Sequence, residues 1–425
     1  MLITLLTAGS RGDTQPYVAL GQTLKKAGFK VRIAAPETFK DLINEFELEF
    51  YSLPGDISII ARDKKLRQAM SADNPLKIIM GFNTLKNYAK NYALSMQQGF
   101  YNACLGSDAI VYHPGATIGH FVAQELGIPS ILATPFPMTP TKEYPALIFY
   151  DSVNWGKQFN FLTHKLFERV MWQTSKSSVE QFWQQKFNCI PPNFSNPFAK
   201  NQTANYLTLV GCSERVFSRP QDWSERVQNT EYWFLDRSDR NSPIDKIQKF
   251  LQAGIPPVYV GFGSLGDPDK AAQTTRLVID ALQKSRQRGI LATGWGAMKE
   301  LDNIPESILI VKSISHAWLF PQMSAVVHHG GAGTTAAGLR AGIPSIIIPH
   351  ANDQFAWGKR VYELGVGCKP IPRKKLTAEK LSAAINYALA EKVRVAAKAL
   401  SKKIQQEKGT AIAAKLIVDY LKQKA

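Results

Sequence analysis

Short apolar runs alternate along this chain with longer stretches whose apolar positions recur every three or four residues. In the first half the runs are "LITLLTA", "KVRIAAP", "AIVYH" and "SILATPF"; in the second they are "PPVYVGF", "GILATG", "SILIV", "AVVHH" and "PSIIIPH". Runs this short, rich in Val and Ile and separated by helical periodicity, predict parallel strands with helices on both faces of each sheet. At 425 residues the chain is long for one core, so two α/β domains are expected. The polar, proline-interrupted "FLDRSDRNSPIDK" (Phe234 to Lys246) is the linker candidate. The predicted division is a first domain over 1–235, a linker over 236–246 and a second domain over 247–400. A basic C-terminal helix over 401–425 follows, with the first domain as its candidate docking face.

Two segments share one layout. "AIVYHPGATIGHFVAQELGIPSILATP" (Ala109 to Pro135) and "AVVHHGGAGTTAAGLRAGIPSIIIPH" (Ala325 to His350) each run from an apolar stretch through histidine and a glycine turn into a helix-like segment. Each then reaches an identical Gly-Ile-Pro-Ser-Ile, with His113 to Gly127 spaced much as His329 to Gly342. A strand–turn–helix–strand unit repeated once per half predicts two similar doubly wound domains facing one another. Ligands would sit at the carboxyl ends of the strands and in the cleft.

Composition narrows the class without naming it. With 45% apolar and 20% charged residues, the chain reads as an ordinary globular protein. It has no uncharged apolar stretch of the roughly 18 residues a bilayer span needs. "MLITLLTA" lacks a basic start and reads as a first strand rather than a signal peptide. Four scattered cysteines, without metal-ligand spacing, read as free thiols of a cytoplasmic protein. The net charge of +17 is concentrated partly in the lysine-rich last segments. It is either a solvated helix face or a surface drawn to anionic lipid or anionic small molecules, which makes peripheral membrane contact a candidate. No nucleic-acid-binding module accompanies it, so nucleic acid is not expected as a partner. Two stretches, "SADNPLKIIMGFNTLKNYAKNYALSMQQGF" and "FPMTPTKEYPALIFYDSVNWGKQFNFLTHKLFERVMWQ", are rich in aromatic and Met residues. Helix packing or an apolar acceptor pocket accounts for them.

The glycine turn of the second half carries the clearest chemistry. A strand ending in His329, then Gly330, Gly331 and Gly333, then a helix opened by Thr334 and Thr335, lets a bulky anion approach the backbone. The helix start adds free N–H groups and a positive dipole end, threonines add hydroxyls, and His329 adds a ring N–H. That set suits a diphosphate; a tight turn with a hydrogen-bonded core histidine is the plain alternative. "GAGTTA" also fits the dinucleotide fingerprint, with Asp353 about 20 residues on. Asp353 lies several residues beyond the "SIIIPH" run, however, and no hydride partner is evident. An NAD-dependent oxidoreductase therefore stands as an alternative, beside a nucleotide-sugar epimerase or hydrolase and a non-catalytic binding protein.

The stretch from His329 to Gln354, "HGGAGTTAAGLRAGIPSIIIPHANDQ", resembles the donor-binding signature of family 1 nucleotide-sugar glycosyltransferases, which have the twin-Rossmann GT-B architecture. "GSRGDTQPYVALGQTLKKAGFKVRIAAP", "VGFGSL" and "ISHAWLFPQMSAVVHHGGAGTT" are similar to the sterol glucosyltransferase branch and the related glycopeptide-antibiotic enzymes. The resemblance implies an inverting transfer of a hexose, glucose by preference, from a UDP-sugar to a hydroxyl of a sterol or other lipid. It implies no cofactor beyond the donor substrate. His329, Gly331, Ala332, Gly333 and Thr334 would bind the diphosphate, and Ser264 would add a contact from the facing loop. Asp353 and Gln354 would hold sugar hydroxyls, and the segment from Lys312 through Ser313 and Ile314 would edge the uracil. Val311 stands about where plant-type members carry a base-stacking tryptophan. For the base, Asp13 in "GSRGD" lies at the carboxyl end of the first strand, and His113 is the second candidate at a strand tip. A helix N-terminal acid is the structural alternative for Asp13, and His120 reads as a helix-face residue. No clustered ligands call for a metal.

Overall fold

In the computed structural model, residues 1–55, 75–151, 155–199, 206–236, 244–263, 268–294, 296–350 and 353–424 are described. They form two compact units. The first draws on Met1–Ile57, Ile79–Leu235 and Glu407–Ala425, and the second is built on Asp236–Gln406.

The first unit runs β1 (Leu2–Leu6), α1 (Arg11–Lys26), β2 (Lys30–Pro36), α2 (Lys40–Glu45), β3 (Glu49–Leu53), α3 (Pro75–Cys104), β4 (Ala109–Tyr112), α4 (Ile118–Leu126), β5 (Ser130–Thr134), α5 (Lys157–Phe187), β6 (Leu207–Val210) and β7 (Val227–Asn229). Its seven strands lie in the order β3-β2-β1-β4-β5-β6-β7, every pair parallel. The second unit runs α6 (Ile244–Gln252), β8 (Val258–Gly261), α7 (Ala271–Lys284), β9 (Gly289–Ala292), β10 (Ile308–Val311), α8 (His316–Leu319), β11 (Ala325–His328), α9 (Ala332–Ala341), β12 (Ser345–Ile347), α10 (Gln354–Glu363), α11 (Ala378–Ala388) and α12 (Glu391–Ile404). Its order is β10-β9-β8-β11-β12, again all parallel.

Both sheets therefore contain the same winding. Chain order reverses between β1 and β4 in one and between β8 and β11 in the other, and ligands of open α/β sheets gather at such switch points. All nine strand runs read from the sequence are present. Three further strands, β3, β6 and β7, were not anticipated: β3 is only partly buried and β7 is the polar three-residue "VQN". The repeated unit is β4–α4–β5 and β11–α9–β12. Each helix ends at a left-handed glycine, Gly127 with φ 65° and Gly342 with φ 73°, a conformation that suits residues without Cβ.

The last segment divides. Ser401 hydrogen-bonds the Arg340 carbonyl (2.6 Å), which ties the end of α12 to the second unit. From Glu407 onward the chain joins the first unit, where α13 (Gly409–Lys424) buries Ala413, Ala414, Ile417, Tyr420 and Leu421 in the core that also holds Tyr17, Leu20 and Leu24 of α1. Gly409 is required at this entry, because a Cβ there would lie 2.3 Å from the Tyr232 carbonyl oxygen. Each fully buried Leu or Ile contributes about 1.5–3 kcal/mol, so the amphipathic face of α13 fixes it more firmly than its lysines do.

Candidate active site

Parallel pairing of β1 with β4 sets Leu6 beside Tyr112, and the His113 N–H donates to the Leu6 carbonyl (2.9 Å). The two strand tips thus deliver Asp13, in the first turn of α1, to His113: Asp13 Oδ1 and His113 Nε2 are 3.6 Å apart. Asp13 closes a capping box. Its Oδ2 accepts the Ser10 N–H (2.6 Å) and the Ser10 hydroxyl (3.0 Å). Its side chain is 29% exposed and that of His113 is 8% exposed. Removal from water works to raise the Asp13 pKa. His113 and the Ser10 donors outweigh that, so the carboxyl titrates below the usual aspartate range and is ionised at neutral pH. The Nδ1 of His113 accepts the Gly115 N–H (3.0 Å). That bond assigns the proton of the neutral ring to Nε2, the nitrogen turned to Asp13. At 3.6 Å the two groups face each other just beyond hydrogen-bond distance, and His113 Nε2 has no other hydrogen-bond partner among the described residues. His120 is buried on α4 among Tyr112, Phe121 and Tyr206.

Gly9 makes room for this arrangement. It adopts φ +130°, and a Cβ on it would lie 2.3 Å from Asp13 Oδ2. Gly9→Ala is expected to displace the carboxylate from Ser10 and to cost about 1–3 kcal/mol through backbone strain. Thermal melting and a carboxyl-carbon NMR titration check this: the Asp13 pKa should move up toward the ordinary aspartate value.

In the second unit the expected donor residues lie at strand carboxyl ends. Ser313 and Ile314 follow β10, His329 to Thr334 follow β11, and Asp353 and Gln354 follow β12. Ser264, after β8, lies outside the described residues. The imidazole of His329 is flanked by glycines: a Cβ on Gly263 would come within 2.8 Å of the ring, and one on Gly331 within 2.6 Å of Nε2. Gly330, at φ +91°, would drive a Cβ to 2.6 Å from Ile347 Cγ2. His329 Nδ1 is buried with no hydrogen-bond partner among the described residues, and burial lowers the ring's pKa to about 4. His329 is therefore a neutral imidazole with a polar atom that no described protein group satisfies.

Gly331 caps α9 without a side chain, which leaves the amides of Ala332, Gly333 and Thr334 as the uncapped first turn. The two threonines differ. The Thr335 hydroxyl is buried and donates to the Gly331 carbonyl (3.0 Å), which commits its proton inside the helix. Downstream, Asp353 Oδ2 accepts the Trp357 indole N–H (2.7 Å), and Gln354 Oε1 accepts the His350 N–H (2.8 Å). These bonds hold both side chains in place. Ser313 is exposed, whereas Ile314 is half-buried against the cluster of Tyr259, Leu319 and Phe320.

The structure also corrects the register of the repeat. His113 and His328, not His329, both stand fourteen residues before the left-handed glycine, at Gly127 and Gly342. His328 Nδ1 accepts the Gly330 N–H (3.1 Å) just as His113 Nδ1 accepts that of Gly115. Sequence reading missed His328, along with Gly9, Gly263 and Trp357, because each acts on another residue. One acidic spacing was also passed over, Asp267-Pro268-Asp269; Asp267 lies outside the described residues. In the aromatic stretches Phe100, Met138, Phe167 and Trp172 are core residues, but Trp155 is 74% and Leu162 is 62% exposed. Among the described residues no helix is long and apolar enough to cross a membrane.

One doubly wound unit thus carries a glycine-lined helix start beside a buried, neutral imidazole, and the other carries an acid–imidazole pair. Residues 3–145 match the glycosyltransferase family 28 N-terminal domain. Residues 276–420 match the C-terminal domain of erythromycin biosynthesis protein CIII-like proteins. A sterol 3-beta-glucosyltransferase of Arabidopsis thaliana is 33% identical over 97% of this chain and 66% of its own length. One of Yarrowia lipolytica is 34% identical over 96% of this chain but 28% of its own. The chain thus spans about two thirds of the plant relative and just over a quarter of the fungal one. The fold is shared with the kitacinnamycin glycosyltransferase (TM-score 0.71, 19% identity, 99% of both chains). It is also shared with the calicheamicin glycosyltransferase CalG4 (TM-score 0.69, 17% identity, 99% of this chain and 98% of that one). The chain belongs to the family 1 glycosyltransferases of GT-B fold.

Proposed function

We propose that this protein is an inverting glycosyltransferase that moves glucose from UDP-glucose to the 3-hydroxyl of a sterol or a similarly hydrophobic alcohol. The observation that carries this reading is an ionised Asp13 facing His113 Nε2 at 3.6 Å in one unit, together with an uncapped helix start and a neutral His329 in the other. The relatives' names support the sugar and the acceptor. The exposed Trp155 and Leu162 support an apolar acceptor.

In this mechanism the amides of Ala332, Gly333 and Thr334, with His329, bind the diphosphate and stabilise the charge that grows on it as it leaves. Asp353 and Gln354 hold the sugar, and Ser313 and Ile314 edge the base. The acceptor oxygen bonds to the anomeric carbon while the bond from that carbon to the phosphate oxygen breaks. The hydroxyl proton passes to Asp13, and UDP departs. A hydroxyl is far less acidic than an aspartic acid, so proton transfer is concerted with attack, and a positioned base supplies about 10²–10⁴-fold. His113 orients the carboxylate; serving as base at Nε2 itself would require the other tautomer and loss of the Gly115 bond. No resident metal or cofactor enters this proposal. The four free cysteines support a cytoplasmic enzyme, and the net charge of +17 supports contact with an anionic membrane surface.

Labelled UDP-glucose incubated with sterol in detergent micelles, with and without a chelator, tests the reading. A sterol β-glucoside formed at about the same rate in both arms is the expected product. Free glucose alone, an α-linked product, or loss of activity on chelation would each defeat the corresponding part.

A further inference from the structure

We propose that His328, which is distinct from the diphosphate-contacting His329, is a positioning residue for the donor, because its Nδ1 holds the Gly330 amide and thereby sets the glycine turn that presents His329 and the first amides of α9. This rests on the reading of that turn as a UDP site.

His328 ends β11 in register with Gly261 of β8, is completely buried, and accepts the Gly330 N–H at 3.1 Å. Gly330 has φ +91° and no space for a side chain, so its peptide is held by the surrounding packing and by this one imidazole. With Nδ1 accepting, the neutral ring carries its proton on Nε2, which is buried and has no hydrogen-bond partner among the described residues. Protonation would place a second donor opposite the Gly330 N–H and break the bond. Burial, with His329 and His316 nearby, keeps the ring's pKa well below the ordinary histidine value, so the turn persists at neutral pH.

The repeat supplies an independent argument. His113, fourteen residues before its own left-handed glycine, makes the same bond to the amide two residues on. In the first unit the far nitrogen of that imidazole faces Asp13 at 3.6 Å; in the second it faces the protein interior. One histidine-and-turn device is thus put to two uses: directing a carboxylate in the first unit, shaping an anion cradle in the second.

Replacement by asparagine and by glutamine separates the two ring nitrogens, since an asparagine oxygen falls near Nδ1 and a glutamine oxygen near Nε2. His328→Asn is expected to keep the UDP dissociation constant within about threefold. His328→Gln and His328→Leu should each raise it, and the donor KM, by about tenfold, the order of one lost hydrogen bond. The acceptor KM should stay unchanged in all three. Native-state hydrogen exchange at the Gly330 amide should stay slow in the asparagine variant and quicken in the glutamine one. Equal UDP affinity in the asparagine and glutamine variants overturns the proposal even if the leucine variant does not fold. Should the unaltered protein fail to bind UDP, the donor-site reading falls instead, and the exchange comparison still decides whether His328 holds the turn.

Discussion

Asp13→Asn is expected to abolish glucosyl transfer while leaving UDP affinity almost unchanged. The substitution keeps an oxygen for the Ser10 N–H and so preserves the capping box, but it removes the charge and the site that takes the acceptor's proton. A loss of about 10²–10⁴-fold in kcat follows from the usual worth of a positioned base. UDP titration calorimetry provides the control, and weakened UDP binding would take Asp13 out of the base role. The pH dependence has a definite sign. The Asp13 carboxyl titrates below its ordinary value, so the ionised form persists as pH falls through that value. The acid limb of kcat/KM governed by this group should therefore lie below the ordinary aspartate pKa. By the same linkage, the group's contribution to stability is present above the unfolded-state pKa and is lost only as pH drops through the lower folded one. An acid limb at a higher pH would point to another group.

The second large effect is expected from His329→Ala. The ring lies between Gly263 and Gly331 with its Nδ1 unsatisfied by any described residue, so its removal takes away a donor and opens the cradle to water. A fall of about 10²–10³-fold in kcat, the scale for deleting one preorganised donor at a developing anion, should accompany weaker UDP binding. Linkage again fixes a sign. A folded pKa of about 4 means that between there and the ordinary histidine value the unfolded chain binds more protons. Stability of the unaltered protein should rise with pH across that window. The alanine variant should lose this part of the slope, which denaturant titrations at two pH values can measure. An unchanged kcat in the variant would show that His329 only fills space.

How much of this was legible beforehand depended on how far apart the partners lie in sequence. The nine strand runs declared themselves because their apolar residues are consecutive. The glycine turn did so because its histidine, glycines and threonines fall within one short segment, "HHGGAGTT". β7 left no signal, since three mostly polar residues become a strand only when β6 offers its edge. The two threonines of the turn looked alike, and only the helix geometry tied Thr335 back to Gly331.

The sequence by itself determined the two doubly wound units, the repeated histidine turn and the glycine-rich helix start of the second one, all properties of local pattern. Only the tertiary structure decided that Asp13 meets His113, that the His328 ring holds the Gly330 amide as the His113 ring holds that of Gly115, and that α13 closes the first core. The physical reason is the parallel sheet. It brings strand tips a hundred residues apart into neighbouring positions through backbone hydrogen bonds, which no spacing along the chain records.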